Sequence, residues 1–234
     1  MALFICPHCG NEDQRFVGIK NGDDYCRRCL AMTTDEVITY KFYPKVYARP
    51  DINYPLTEEQ DTIAKRVSKN YLDHKDTLIY AVCGAGKTEL VFDVIKTALA
   101  RGDQIGFTIP RREVVIEIYG RLKSAFPSIE ITLVHGGNTE RLLGQIIVLT
   151  THQLYRYKRY FDLLIFDEID AFPYDGDFVL EAMFKASVRG HYVVMSATPS
   201  KKLIKDFSIQ GEVLTLFTRF HHHQHQQPHS SQPG

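Results

Sequence analysis

Lys87 and Thr88 end a stretch built to hold a polyphosphate, Ala81-Val82-Cys83-Gly84-Ala85-Gly86-Lys87-Thr88. Its glycines let backbone N–H groups approach phosphate oxygens. A helix starting at Lys87 would add the partial positive charge of its N-terminus. Lys87 supplies a full charge, and the Thr88 hydroxyl is a ligand for Mg²⁺. About 80 residues on, FDLLIFDEID places Asp167, Glu168 and Asp170 after an apolar run. Asp167 could hold Mg²⁺ opposite Thr88, and Glu168 could orient and deprotonate a water that attacks the terminal phosphate of ATP. Ser196-Ala197-Thr198, after the next apolar run, could bond the acidic group and relay nucleotide state. Lys87, Asp167 and Glu168 are therefore the candidate catalytic residues. Gln60, about 25 residues before the phosphate loop, is the candidate adenine reader, because an amide pairs donor and acceptor with N6 and N7.

A second chemistry lies nearer the start. Cys6-Pro-His-Cys9 and Cys26-Arg-Arg-Cys29 are separated by sixteen residues. Each pair makes a tight turn that aims two thiolates at one point, and two such turns complete an S₄ site of the structural zinc type. His8 lies inside the first turn and is read as a surface residue. Between the pairs, RFVGIKNGDDYC reads as a hairpin turning at Asn21-Gly22. So small a module has little core of its own, and Zn²⁺ would supply its folding free energy. Arg15, Lys20, Arg27, Arg28 and Tyr25 could contact a nucleic-acid strand, but Glu12, Asp13, Asp23 and Asp24 are interleaved with them. DNA contact and protein docking remain equal readings for the ribbon.

These residues need a frame. The chain has 234 residues, enough for a sizeable domain plus a small module. Lys plus Arg and Asp plus Glu both number 28, so any nucleic-acid binding must come from local patches. No apolar run of about 18 residues is present, which excludes a transmembrane helix, and MALFICPHCG lacks the form of a secretory signal. Four paired cysteines then fit a reducing cytosol and a metal better than disulfides. From residue 57 strand-like runs alternate with helical ones. The strands are 104–109, 129–135, 145–150, 161–167, 191–197 and 212–217. The helices are 87–100, 111–125, 151–158, 176–188 and 200–207, and one from Thr57 as N-cap buries Ile63, Val67 and Tyr71. Such alternation predicts an α/β fold, a parallel sheet with helices on both faces, whose ligands gather beyond the carboxyl ends of the strands. The expected organisation is a zinc ribbon over 1–45, a linker over 46–56, one lobe over 57–218 and a His/Gln/Pro-rich tail over 219–234. VITYKFY in the connector reads as one more strand.

A-x-x-G-x-G-K-T, D-E-x-D and S-A-T, in this order, resemble motifs of superfamily 2 helicases of the DEAD/DEAH-box type, and L-T-x-x-Q resembles their adenine-reading element. The four-cysteine ribbon with AVCGAGKTE, IPRREVV, HGG, TTHQL, FDEIDAFP and SATPS resembles, more narrowly, the ComFA family of late competence. The resemblance implies a RecA-like lobe and a DNA-dependent ATPase that drives single-stranded DNA inward in competent bacteria. It also implies a strand track at Pro110-Arg111-Arg112, Gly136-Gly137 and Thr150-Thr151-His152. Arg156, Lys158 and Arg159, with Tyr155 and Tyr157, could extend it. The implied setting is cytoplasmic, peripheral to the membrane at most through DNA-uptake partners. Such helicases have two lobes, and the second brings an arginine finger. The sequence carries one lobe and a low-complexity tail, which reads as a truncated or frame-shifted product, so hydrolysis is expected to be weak. Two other readings stand: a low-turnover module that binds DNA or a partner, and another zinc-bearing superfamily 2 helicase of the replication-restart type, whose cysteines would be expected elsewhere in the chain.

Overall fold

The structure, a computed structural model, describes residues 4–6, 9–29, 38–52, 55–82, 86–169 and 178–217. The ribbon hairpin forms as the spacing predicts. Strands β1 (Val17–Lys20) and β2 (Asp23–Cys26) pair antiparallel, with Val17 opposite Cys26 and Lys20 opposite Asp23. Asn21 and Gly22 have φ of 55° and 93°. Two positive φ values give the turn whose twist matches the strands it joins.

In the lobe, helix α1 (Glu58–Leu72) starts on a reciprocal cap. Thr57 Oγ1 accepts from the Gln60 N–H at 3.2 Å, and Gln60 Oε1 accepts from the Thr57 N–H at 2.8 Å. Two otherwise orphaned donors of the first turn are thereby satisfied. Seven strands follow: β3 (Asp76–Ala81), β4 (Ile105–Ile109), β5 (Ile131–Val134), β6 (Ile146–Thr150), β7 (Phe161–Phe166), β8 (Val188–Ser196) and β9 (Gly211–Leu216). They lie in the order β5-β6-β4-β7-β8-β3-β9, and every neighbouring pair is parallel. The helices between them are α2 (Lys87–Leu90), α3 (Phe92–Arg101), α4 (Arg112–Ala125), α5 (Phe178–Ser187) and α6 (Lys201–Gln210).

Side chains alternate across the sheet, so each strand feeds two cores. Ile79, Ile105, Phe107, Ile146, Val148, Leu163, Ile165, Val193 and Met195 pack with α1, α3 and α4. Leu78, Ile147, Leu149, Leu164, Phe166 and Val194 pack on the other face with Leu154, Leu180, Phe184, Leu203 and Phe207. Burial on both faces accounts for the continuous apolar runs, which show no period-two pattern.

Three expectations change. The helix predicted over 87–100 is broken at Val91. Its first turn also carries i→i−3 bonds, Glu89 N–H to Gly86 O at 3.1 Å and Val91 N–H to Thr88 O at 3.4 Å. The segment after β6 is a 3-10 helix, Thr151–Arg156. The strand predicted at VITYKFY is absent: residues 38–52 form neither helix nor strand. This connector is a strap on the lobe. The Val46 N–H bonds Leu99 O and the Asp51 N–H bonds Ala125 O, both at 2.9 Å. Leu99 and Ala125 lie in the last turns of α3 and α4, whose carbonyls have no partner within their own helix. The Tyr40 hydroxyl donates to Asp162 Oδ2 at 2.6 Å, and Arg189 stacks over its ring. Burial first, then this bond, pushes the Tyr40 pKa up to about 12. The predicted tail at 219–234 lies outside the described residues.

Candidate active site

Seven parallel strands end at one edge, and nearly all the chemistry read from the sequence sits there. From β5 across to β3, the strand ends carry Gly136-Gly137, then Thr150-Thr151-His152, Pro110-Arg111-Arg112, Asp167-Glu168, Ser196-Thr198 and finally Gly86-Lys87-Thr88. The first three groups are the predicted strand track, on β5, β6 and β4. The last three are the predicted nucleotide residues, on β7, β8 and β3. The boundary between the halves is the β4–β7 pair, in register at Thr108 and Phe166.

On the nucleotide side, Ala81 is buried at the end of β3, and the Val82 N–H bonds Leu216 O of β9 at 3.2 Å. Cys83, Gly84 and Ala85 lie outside the described residues. Gly86 has φ of 71° and caps α2 without a side chain. That left-handed backbone is costly for a residue with a Cβ. A Cβ here would also stand 2.9 Å from Gln60 Nε2. Gln60, buried, therefore lies against the phosphate loop. Its carbonyl serves the α1 cap. The Lys87 side chain has no hydrogen bond or ion pair to the described residues. Thr88 and Glu89 are buried, and Glu89 is ion-paired with Arg121 of α4.

The acidic pair is held by β4 and by itself. The Asp167 N–H bonds Thr108 O at 3.0 Å, and the buried Asp167 Oδ1 accepts from the Glu168 N–H at 2.9 Å. Glu168 has φ of 57°, a left-handed backbone uncommon outside glycine. Its carboxylate is gripped by Arg111: Nε reaches Oε2 at 2.9 Å and Nη2 reaches Oε1 at 2.6 Å. Asp170 lies outside the described residues. Ser196 is buried beside Tyr80 of β3, and its Oγ accepts from the Thr198 N–H at 3.1 Å. The residues after S-A-T start α6, where the Ser200 hydroxyl accepts from the Leu203 N–H.

The strand side is less uniform than its motifs suggest. Gly136 and Gly137 are exposed at the tip of a tight turn closed by bonds between His135 and Asn138. Pro110 is half-buried, while Arg111, Arg112 and His152 are exposed. Thr150 and Thr151 are buried, and the Thr151 hydroxyl is bonded to that of Thr108 at 3.2 Å. The Thr151 side chain braces the sheet, which leaves the exposed His152 and backbone groups for any strand contact here. Of the possible extension, Tyr157 is buried, Arg156 is bonded to Gln153 and stacked on Tyr155, and Lys158 and Arg159 are exposed.

The four cysteines converge. Cys6 and Cys29 sulfurs are 3.5 Å apart, those of Cys9 and Cys26 are 3.7 Å apart, and all four lie within 4.8 Å of one another, buried. A tetrahedron with Zn–S of about 2.3 Å has S–S edges of about 3.8 Å, so the donor set and spacing fit zinc. The first turn is closed by the Gly10 N–H to Cys6 O bond at 2.8 Å, with Gly10 at φ of 67°. Without a cation, burial pushes the Cys9 thiol up to about 11 and Cys29 higher still. At Cys26 burial also opposes ionisation, but the backbone N–H groups of Cys29 and Arg28, together with the Cys9 and Cys6 thiols, outweigh it and shift that thiol down. On the ribbon surface the exposed Arg15 is paired with Asp13, and the exposed Arg28 stacks on Phe16 at 4.1 Å. His8 lies outside the described residues.

Comparison with known proteins decides the family. The model of the DEAD/DEAH box helicase domain matches residues 60–207. The chain belongs to the DEAD/DEAH box helicase family. Competence protein ComFA of Bacillus subtilis (strain 168) is 34% identical over 94% of this chain and 50% of that protein. Competence protein ComFA of Streptococcus pneumoniae (strain ATCC BAA-255 / R6) is 34% identical over 93% of this chain and 52% of that protein. The narrower resemblance to ComFA proteins is thus borne out, and the chain spans about half the length of these curated relatives. A hypothetical ATP-dependent RNA helicase from Sulfolobus tokodaii has a crystal structure that matches with a TM-score of 0.54 at 21% identity. It covers 69% of this chain and 53% of that one, and shows the shared fold. A DEAD/DEAH box helicase domain implies ATP and Mg²⁺. The hard oxygen donors Thr88 and Asp167 fit the cation.

Within this helicase domain, sequence reasoning missed three contacts. The Thr57–Gln60 cap was legible, since T-x-x-Q is its signature. The Glu89–Arg121 and Arg111–Glu168 pairs, separated by 32 and 57 positions, left no local signal.

Proposed function

We propose that this chain is the ribbon and first lobe of a DNA-dependent ATPase that moves single-stranded DNA during uptake by competent cells. One observation carries the reading: the parallel sheet brings Lys87-Thr88, Ser196-Thr198 and Asp167-Glu168 to one edge, with Arg111, Arg112, Gly136-Gly137 and His152 in the same row. Lys87 and the loop amides would neutralise the ATP phosphates, and Gln60 would read adenine through its amide. Thr88 and Asp167 would hold Mg²⁺, which supplies charge neutralisation at the β- and γ-phosphates when bound. Glu168 would take the proton of the attacking water. Asp170 would complete the acidic motif, and Ser196 and Thr198 would transmit nucleotide state. Exposed arginines and backbone amides suit phosphates of any sequence.

The described residues supply one lobe, and an arginine from a second lobe is worth about 10³- to 10⁵-fold in comparable phosphoryl transfers. Turnover by this chain by itself is therefore expected to be weak. The position of the cysteines, ahead of the lobe, favours a competence protein over a replication-restart helicase. Zinc would make the ribbon a folded platform for DNA or for uptake proteins at the inner face of the membrane. No helix among the described residues is long and apolar enough to cross a membrane, and a cytoplasmic location follows from the proposed role.

ATP hydrolysis with and without oligo-dT tests the reading. Wild type is expected to turn over slowly, faster with oligo-dT, and Lys87→Ala to show neither rate. Equal rates in wild type and Lys87→Ala would remove the enzyme reading.

A further inference from the structure

We propose that Arg111 is a positioning residue that couples strand binding to the catalytic carboxylate: it holds Glu168 out of place until a phosphodiester takes its guanidinium. The inference rests on the ATPase reading above and deepens it.

Topology carries the argument. Strand β7 has β4 on one side and β8, then β3, on the other. The phosphate loop follows β3, so a water attacking ATP lies on the β8–β3 side of Glu168. The Glu168 carboxylate instead reaches toward β4, where Arg111 occupies both of its oxygens at 2.6–2.9 Å. In this arrangement the base is aimed away from its substrate, and the lone pairs that would accept a proton face a cation. The Glu168 backbone, at φ of 57°, is left-handed in this arrangement.

Arg111 is also suited to let go. Its side chain is 58% exposed, and ion pairs this open to solvent are weak enough for another anion to displace. It stands at the start of α4, whose first turn has no side-chain cap. The neighbouring strand ends carry exposed His152 and the bare Gly136-Gly137 turn. A strand phosphate arriving along this row meets the guanidinium with helix amides beside it. Taking Arg111 frees Glu168 to turn toward β8 and β3. The ion pair sits at the β4–β7 boundary, between the strand half and the nucleotide half of the edge. It therefore joins two functions that otherwise share only the sheet.

Linkage makes this testable without turnover, because Glu168 and the strand compete for one guanidinium. Binding of labelled oligo-dT in low salt, without nucleotide, is read by fluorescence anisotropy. Glu168→Gln, which removes the competing charge, is expected to tighten binding about 5-fold, the low end of typical coupling. Arg111→Gln is expected to weaken it. In the Arg111→Gln background the Glu168→Gln gain is expected to vanish. Glu168→Gln binding as wild type does, or a gain that persists without Arg111, would overturn the coupling and leave the ATPase reading intact. Failure of every form to bind oligo-dT would overturn the coupling together with the strand half of that reading. ATP binding, measured separately, decides the nucleotide half. Circular dichroism of each variant identifies any that fails to fold, and Glu168→Ala then replaces Glu168→Gln with the same expectation.

Discussion

With oligo-dT present, Glu168→Gln is expected to leave ATP bound within about 2-fold and to lower hydrolysis about 10²- to 10⁴-fold, the usual worth of a positioned general base. Glutamine keeps the shape of the side chain and removes its ability to take a proton. The residue is a quarter exposed and lies at a strand end, outside both cores, so folding is expected to change by less than about 1 kcal/mol. Turnover is expected to be slow, so the ratio of variant to wild type in a radiolabelled assay with oligo-dT is the quantity to read. A ratio near one, with nucleotide bound, would show that water is activated elsewhere.

Loss of the ribbon's metal is the second large effect. One zinc per chain is expected by elemental analysis, and less than about 0.2 in a Cys26→Ser, Cys29→Ser double variant. Zinc binding in small finger peptides contributes about 10–16 kcal/mol of apparent free energy at pH 7, and the short β1–β2 hairpin has no comparable core. Removing the ion is expected to open residues 9–29 to protease while the seven-stranded lobe stays resistant. The pH dependence has a definite sign. Metal-free Cys9 is raised to about 11 and Cys29 is raised further, so both are protonated at neutral pH. Zinc must displace those protons, and its affinity is expected to fall as pH falls, at least two protons leaving per ion. An affinity independent of pH between 6 and 8, or full zinc in the double variant, would contradict the S₄ site.

The parts of this molecule that could be read in advance are those whose physics is local. A phosphate loop needs a strand, glycines and a lysine in succession, and a thiolate knuckle needs two cysteines three positions apart. Apolar runs between helices announced a sheet buried on both faces. They could not announce its order, because one buried strand reads like another. That β8 lies between β7 and β3, placing Ser196 between the acidic pair and the phosphate loop, became evident only from the pairing. Side chains whose partners are distant behaved likewise. Thr151 sits in a motif expected to meet DNA yet bonds Thr108 inside the protein. Arg111 was read as a strand contact and is found on Glu168. The connector failed as a strand because its amides are used on the last turns of α3 and α4.

The proposed function requires the edge after β3 to hold ATP. Titrating a fluorescent ATP analogue with Mg²⁺ into wild type and Lys87→Ala tests it most directly. Wild type is expected to bind saturably and Lys87→Ala to lose at least 100-fold in affinity, about 2.7 kcal/mol or more. Equal affinities would contradict it.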